Sequence, residues 1–436
     1  MPGRRENRRI VVAAAIILVV VLIELLAFAG LSLELGRWAT PRALRAERGA
    51  LLAERGAEGD GDNEGARWSP EYVVHPYLGF VLDSRFNHTQ RLENGGPDAL
   101  NFGFDLVEPG LFFPPDPENL VVAVTGGSAA LGLAVHRSDM LRSTILEGAP
   151  PPVRRVVILN LALPGFKQPQ QLLAVNYLRA LGATFDVVVN IDGFNEIALG
   201  PAVNSAQGVA PVFPYAWLHR VADFDPPARE TLARLALEHE RRLAAARFFG
   251  RRPLCWSASA GLVWRLVDRR SAHRISDMES SLAAPAIDRQ PSFTVRGPDR
   301  GLESMDSVIL DQAAQWASAS AMMHSLTEAS GGIYLHFLQP NQYVEGSKPM
   351  SEAEILLAIN PELPEAAYVK RGYPVLSDYG DRLVEQGIRF VELSMLFQTV
   401  EEPTYFDDCC HYNDLGEELV AAAVARAVVV ELKRSR

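Results

Sequence analysis

Residues 119–132, NLVVAVTGGSAALG, carry the reading of the fold. Leu120, Val121, Val122, Ala123 and Val124 form an unbroken apolar run, the pattern of a strand covered on both faces in a parallel sheet. The run ends in Thr125-Gly126-Gly127-Ser128, where two glycines permit a tight turn. Small residues follow, Ala129 and Ala130, and fit a helix that starts close against the sheet. Ser128 is thus expected at the carboxyl end of a strand and the amino end of a helix, where open α/β sheets bind ligands. A hydroxyl there faces a crevice lined by backbone N–H groups, which suits a nucleophile. A phosphate cradle uses the same kind of turn, but the GxGxxG pattern is incomplete and no GK[ST] follows.

Outward from this stretch the same rhythm recurs. Val156–Asn160 and Asp186–Ile191 read as further strands, with a helix over Gln168–Leu181 between them. Ile333–Leu338 and Ile388–Leu393 supply two more strands. The helix before Ile333 places Met305, Ile309, Trp316, Met323 and Leu326 near one face, and Met322 and Met323 are both expected in the core. Short buried strands separated by helices imply a doubly wound parallel sheet. Residues 201–301 break the rhythm with a helix opened by Asp225-Pro226-Pro227 and closed at Gly250, and a second near Gly261–Asp268. They are expected to form a helical insertion beside the site that governs substrate access. Between Trp68 and Asp105 aromatic and β-branched residues alternate with turn residues, as in a hairpin. His75 there reads as a packed or capping residue, and Asn87-His88-Thr89 has glycosylation spacing.

A serine nucleophile needs a base, and the base an orienting group. Near the other end of the chain Asp408 and His411 lie three residues apart, just before a helix-forming run from Glu417 to Val430. His336, in the fourth strand, is the rival base, but no carboxylate accompanies it at a comparable spacing. Gln339 and Tyr343 follow it toward the pocket. A serine early in the chain with Asp-x-x-His late resembles the SGNH (GDSL-like) hydrolase family. The family's Gly-Asp-Ser block is met by Gly126-Gly127-Ser128, with glycine in place of the acid. Its second block matches Gly165, and Gly-x-Asn-Asp is met by Gly193-Phe194-Asn195-Glu196, with glutamate last. The resemblance implies Ser128 as nucleophile, His411 as base and Asp408 as its orienter, with an oxyanion hole from the N–H groups of Ser128 and Gly165 and the Asn195 amide. It also implies a five-stranded, flavodoxin-like three-layer α/β/α sheet over 68–436, needing no metal or organic cofactor. The implied activity is an esterase removing acyl groups from an envelope carbohydrate or lipid. An O-acyltransferase using the same triad and a non-catalytic binding protein of the same fold are the alternatives.

The chain has 436 residues, 48% of them hydrophobic, ample for a large core, and a formal net charge of -11 that argues against nucleic acid as a partner. Residues 1–9 form a basic tail, and 10–33 an apolar run broken only by Glu24, long enough to cross a bilayer. The run reads as an uncleaved anchor or as a signal peptide cut after Ala27-Phe28-Ala29; its length favours the anchor. The basic tail places the catalytic domain outside the cytoplasm, in the periplasm or at the cell surface. Residues 34–67 read as a juxtamembrane helix and an acidic linker, Glu58–Gly65, that lacks calcium-loop spacing. Of the three cysteines, Cys255 could pair with Cys409 or Cys410 in an oxidising compartment. Four nearly consecutive residues, Asp408 to His411, are poorly placed to surround one tetrahedral zinc ion.

Overall fold

Along Asn119–Gly126 the side chains divide strictly by parity. Val121 and Ala123 enter one apolar core with Val175, Trp316 and Leu376, whereas Leu120, Val122 and Val124 enter a second with Leu133, Leu141 and Val424. A strand presents alternate residues to opposite faces, so two cores mean helices on both sides of one sheet. The computed structural model describes residues 3–36, 38–60, 72–83, 102–105, 108, 110–221, 226–283 and 293–435. The acidic linker beyond residue 60, the 67/68 boundary and the Asn87 sequon lie outside them.

In chain order the elements are α1 (Gly3–Leu35), α2 (Pro41–Asp60), β1 (Tyr72–His75), β2 (Gly79–Leu82), β3 (Asn119–Gly126), α3 (Ser128–His136), α4 (Ser138–Gly148), β4 (Arg155–Asn160), α5 (Gln170–Ala180) and β5 (Val187–Asp192). A π-helical segment, Asn195–Asn204, follows and contains Pro201. Then come α6 (Trp217–Val221), α7 (Pro226–Gly250), α8 (Ala258–Ala283), α9 (Phe293–Arg296), α10 (Met305–Ala329), β6 (Ile333–Leu338), α11 (Glu352–Ala358), α12 (Pro364–Glu385), β7 (Phe390–Glu392) and α13 (Asp414–Arg434). The sheet order is β4-β3-β5-β6-β7, every pair parallel, with Val124 opposite Asn160 on one side and Val189 on the other. This is the expected five-stranded doubly wound sheet. Its strand order reverses between β3 and β5, and their carboxyl ends flank the crevice where such sheets bind ligands. The hairpin β1–β2 is antiparallel, with Tyr72 opposite Leu82, and the His75 ring nitrogen receives the N–H groups of Tyr77 and Leu78, a capping role.

The chain divides into two compact units: residues 64–225 with 285–436, which hold the sheet, and residues 1–63 with 226–284. The single insertion expected over 201–301 is therefore split, with 226–284 clustering with the N-terminal helices. The reason is visible within that unit, where Leu31 and Leu44 form an apolar cluster against Ala258 and Leu262 of α8. Helix α1 is long and apolar enough to cross a membrane over Ala14–Leu35. In α10, Met323 is fully buried but Met322 is 53% exposed; neighbours on a helix point about 100° apart, so only one can face the sheet.

Gly126 closes β3 with φ +148°, and a Cβ there would lie 2.0 Å from the Ile191 carbonyl oxygen of β5. Gly126→Ala must distort backbone and should cost about 2–4 kcal/mol. In the detergent-solubilised chain this is expected as a fall in Tm of roughly 3–6 °C; an unchanged Tm would show that the β3–β5 approach can relax.

Candidate active site

Ser128 is the first residue of α3, and His411 reaches it from the loop before α13. The His411 Nε2 to Ser128 Oγ distance is 2.8 Å. On the ring's other side Nδ1 is hydrogen-bonded by Asp407 Oδ2. The partner of His411 is therefore Asp407, four residues back, and the expectation for Asp408 is corrected. The turn explains the choice. Asp407 Oδ1 accepts the backbone N–H groups of Cys409, Cys410 and His411 at 3.1–3.2 Å, which folds the chain back and leaves Oδ2 facing the ring. Asp408 points elsewhere: its Oδ2 accepts Asn360 Nδ2 at 3.0 Å and its carbonyl accepts the Tyr343 hydroxyl at 2.6 Å. Burial pushes the Asp407 carboxyl up, but the hydrogen bond and charge of His411 and the backbone donors outweigh it and hold the group below the ordinary aspartate range. Phe406 stacks on the imidazole with ring centroids 5.7 Å apart.

The loop is held from several sides. Tyr405 and Tyr412 form an isolated antiparallel bridge, and Asn413 caps α13 by accepting Gly416 N–H at 3.1 Å. Glu354 accepts the N–H groups of Thr404 and Tyr405 at 2.8 and 3.2 Å. The fully enclosed Lys348 lies 3.4 Å from Glu354 and donates to the carbonyls of Val400 and Glu402. Gln342 donates to the Asp407 carbonyl at 3.1 Å. Gln339 and Tyr343, expected along the pocket, are instead buried, and Tyr343 acts as a brace.

Across the crevice, Asn195 begins the π-helical segment after β5. Its Nδ2 donates to the Phe166 carbonyl at 2.7 Å, in the turn that holds Gly165 at φ +74°. A Cβ on Gly127 would lie 2.1 Å from that same Nδ2. The glycine standing where the resembled motif has an acid thus makes room for the Asn195 amide beside Ser128. Glu196 is enclosed and accepts N–H groups from Gln168 at 2.9 Å, Gln171 at 3.0 Å and Gly193 at 2.8 Å, which joins the turns after β4 and β5. Burial and the neighbouring Asp192 charge push its carboxyl well up.

His336 is fully buried and faces no crevice. Its Nε2 contacts Asp192 Oδ1 at 2.8 Å and its Nδ1 contacts Ser320 Oγ at 2.8 Å, a Ser-His-Asp array sealed within the core. Trp316 Nε1 donates to the same carboxylate oxygen at 2.6 Å. This is a buried polar network that fixes α10 on β5 and β6, because each polar group there finds a partner. The thiols of Cys255, Cys409 and Cys410 are free. Cys409 Sγ lies 3.5 Å from Cys410 Sγ, and these thiols with a His411 nitrogen are the one donor group among the described residues that could hold a metal, all within 4.8 Å. Both His411 nitrogens already have partners, Ser128 and Asp407, so an ion would have to take one from them.

Lys167, missed in the sequence reading, lies between Gly165 and the Glu196 turn. It is wholly enclosed, donating to the Pro211 carbonyl at 2.5 Å, and burial brings its pKa down to about 7 against a partial opposing pull from Glu196. The unfolded chain, with an ordinary value of 10.5, binds this proton more tightly. Stability must rise with pH between about 7 and 10.5 through Lys167, as the folded form sheds the charge first. Thermal melts of the chain and of Lys167→Met at pH 7 and pH 9 test this: the gain on raising the pH should shrink in the variant, and equal gains would contradict it.

No protein-family model and no curated protein matches the chain. Among solved structures it is similar to a Bacteroides fragilis NCTC 9343 protein described as a "putative acylhydrolase", with 12% identity and a TM-score of 0.31, over 74% of this chain and 92% of that one. A likeness at that level says nothing of activity, and the chemistry rests on the geometry of Ser128, His411 and Asp407.

Proposed function

We propose that the chain is a membrane-anchored serine hydrolase of SGNH type, cleaving esters with Ser128, His411 and Asp407. The observation that carries this reading is the 2.8 Å contact of His411 Nε2 with a serine at a strand-to-helix turn, backed by a carboxylate on Nδ1. His411 takes the Oγ proton as Oγ bonds to the ester carbonyl carbon, whose oxygen receives the electron pair. Ser128 N–H, Gly165 N–H and the Asn195 amide are the proposed donors to that oxygen. The alcohol leaves with the proton returned by His411, and water repeats the cycle to release the acid. Asp407 keeps the imidazole in the tautomer with Nε2 free to accept, and stabilises its protonated form. The substrate class proposed is an acylated carbohydrate or lipid of the cell envelope, met on the far side of the membrane from the basic tail.

Fluorophosphonate labelling and p-nitrophenyl acetate turnover of the detergent-solubilised chain test the reading. Ser128→Ala should abolish labelling. Asp407→Asn should lower kcat by about a thousandfold to ten-thousandfold, against a few-fold for Asp408→Asn. A larger loss in Asp408→Asn would overturn the assignment of the orienter. A folded chain that neither labels nor turns over would favour a binding protein of this fold.

A further inference from the structure

Within the unit of α1, α2, α7 and α8, one charge lies at an awkward depth. Ala14–Leu35 is the stretch of α1 that meets the length and apolarity of a membrane span, and Glu24 is eleven residues before its end. At 1.5 Å per residue that is roughly 16 Å inside, about the middle of a bilayer. Glu24 is not left to lipid. Its carboxylate accepts Ala258 N–H at 2.6 Å and the hydroxyls of Ser257 and Ser259 at 2.7 and 2.5 Å, at the amino end of α8. The α7–α8 turn is therefore fixed at the level of Glu24.

That turn carries charge which cannot be at mid-bilayer. Residues 248–256 read FFGRRPLCW, and Arg251 and Arg252 are exposed at its tip. Beside them Trp256 is 53% and Phe248 52% exposed, and Arg45 of α2 lies over the Trp256 ring at 4.4 Å. Trp38, 74% exposed, stacks on Phe28 of α1, one helical turn beyond Glu24. Exposed tryptophans and arginines at one level are the composition of a membrane interface, where rings sit among headgroups and guanidinium groups meet phosphates. Beyond Phe28 the exposure of α1 divides by face: Leu31 is wholly covered within the unit, while Leu33, about 200° around the helix, is 85% exposed.

We propose that the α7–α8 turn, Phe248–Trp256, is a foot resting in the headgroup layer of the bilayer that α1 crosses. Trp256 and Phe248 enter the interface, and Arg251 and Arg252 pair with anionic headgroups. The outer boundary of the membrane then lies at Glu24–Phe28, not at Leu35. The segment left to cross, Ile10–Leu26, still has the seventeen or so residues a thin hydrocarbon core requires. Glu24 lies near the boundary and is neutralised by α8, and the apolar stretch after it belongs to the extramembrane unit. The inference rests on α1 spanning a membrane and is independent of the chemistry at Ser128.

The test is tryptophan quenching in the full chain reconstituted into phosphatidylcholine–phosphatidylglycerol vesicles containing 6,7-dibrominated phosphatidylcholine. Trp256→Phe should lose about half of the lipid-quenched signal, with Trp38 supplying most of the rest. Aqueous iodide should quench the Trp256 component of the wild-type chain only weakly. Flotation with the vesicles and identical lipid quenching in the two chains would overturn the foot while leaving the anchor. A chain that fails to float after carbonate extraction would overturn the anchor and the foot with it.

Discussion

The carboxyl ends of β3 and β5 come closer than any side chain on β3 would permit. At Gly126 a Cβ would meet the Ile191 carbonyl at 2.0 Å, and at Gly127 it would meet the Asn195 amide at 2.1 Å. Two consecutive glycines thus let the first turn of α3 start against β5. Ser128, one residue on, is placed at the point where strand order reverses. This approach gives the crevice its floor: the serine comes from one side of the reversal, the asparagine from the other, and a third turn, Gly165–Phe166, is tied to the asparagine through the Phe166 carbonyl. The close packing is tolerable because both strands are buried on both faces, so there is no solvent-side freedom for the ends to splay.

Beneath the floor lies an unusual density of buried polar groups. Glu196, Lys167, Asp192 and His336 are all enclosed, and burial of such groups is tolerated only where hydrogen bonds replace water. Each has them: Glu196 receives three N–H donors, Lys167 a carbonyl, and Asp192 the Trp316, His336 and Asn190 donors. These are directional bonds between turns that otherwise share only loop backbone. Apolar packing would hold the turns together but not fix their angle, whereas three donors converging on one carboxylate do both. The same device recurs on the opposite side, where Glu354 and Lys348 pin residues 400–405 and so set the start of the loop bearing Asp407 and His411.

The parallel sheet was legible because several short β-branched runs bounded by turn residues alternate with helical patterns along the chain. Ser128 and His411 were legible as residue types at strand and helix ends. The carboxylate was not, because Asp407 and Asp408 are adjacent and identical, and the choice depends on which one folds back over the next three N–H groups. Lys167 and Glu196 were opaque for a related reason: a sequence shows charge but not enclosure. The split of 201–301 escaped because periodicity reports that a helix has an apolar face without saying what covers it. Helix α8 has such a face, and Leu31 and Leu44, which cover part of it, lie more than two hundred residues earlier in the chain.

The two departures from the resembled motif, Gly127 and Glu196, are better understood as a pair than as separate losses. An acidic side chain at 127 would occupy the space of the Asn195 amide, as the 2.1 Å approach shows. With glycine there, the asparagine can lie against the serine turn and still donate to Phe166. Glutamate at 196 has one more methylene than aspartate, and it reaches across to Gln168 and Gln171 in the neighbouring turn as well as back to Gly193. The longer side chain therefore supplies, from the β5 side, bracing between the turns on either side of Asn195. Both changes act on the placement of one amide. Asn195 is itself buried, so its amide needs the Phe166 carbonyl as a partner, and the two changes let it keep that bond beside the serine turn. The bracing that holds Asn195 beside the serine turn is the kind of preorganisation that the proposed oxyanion hole would use.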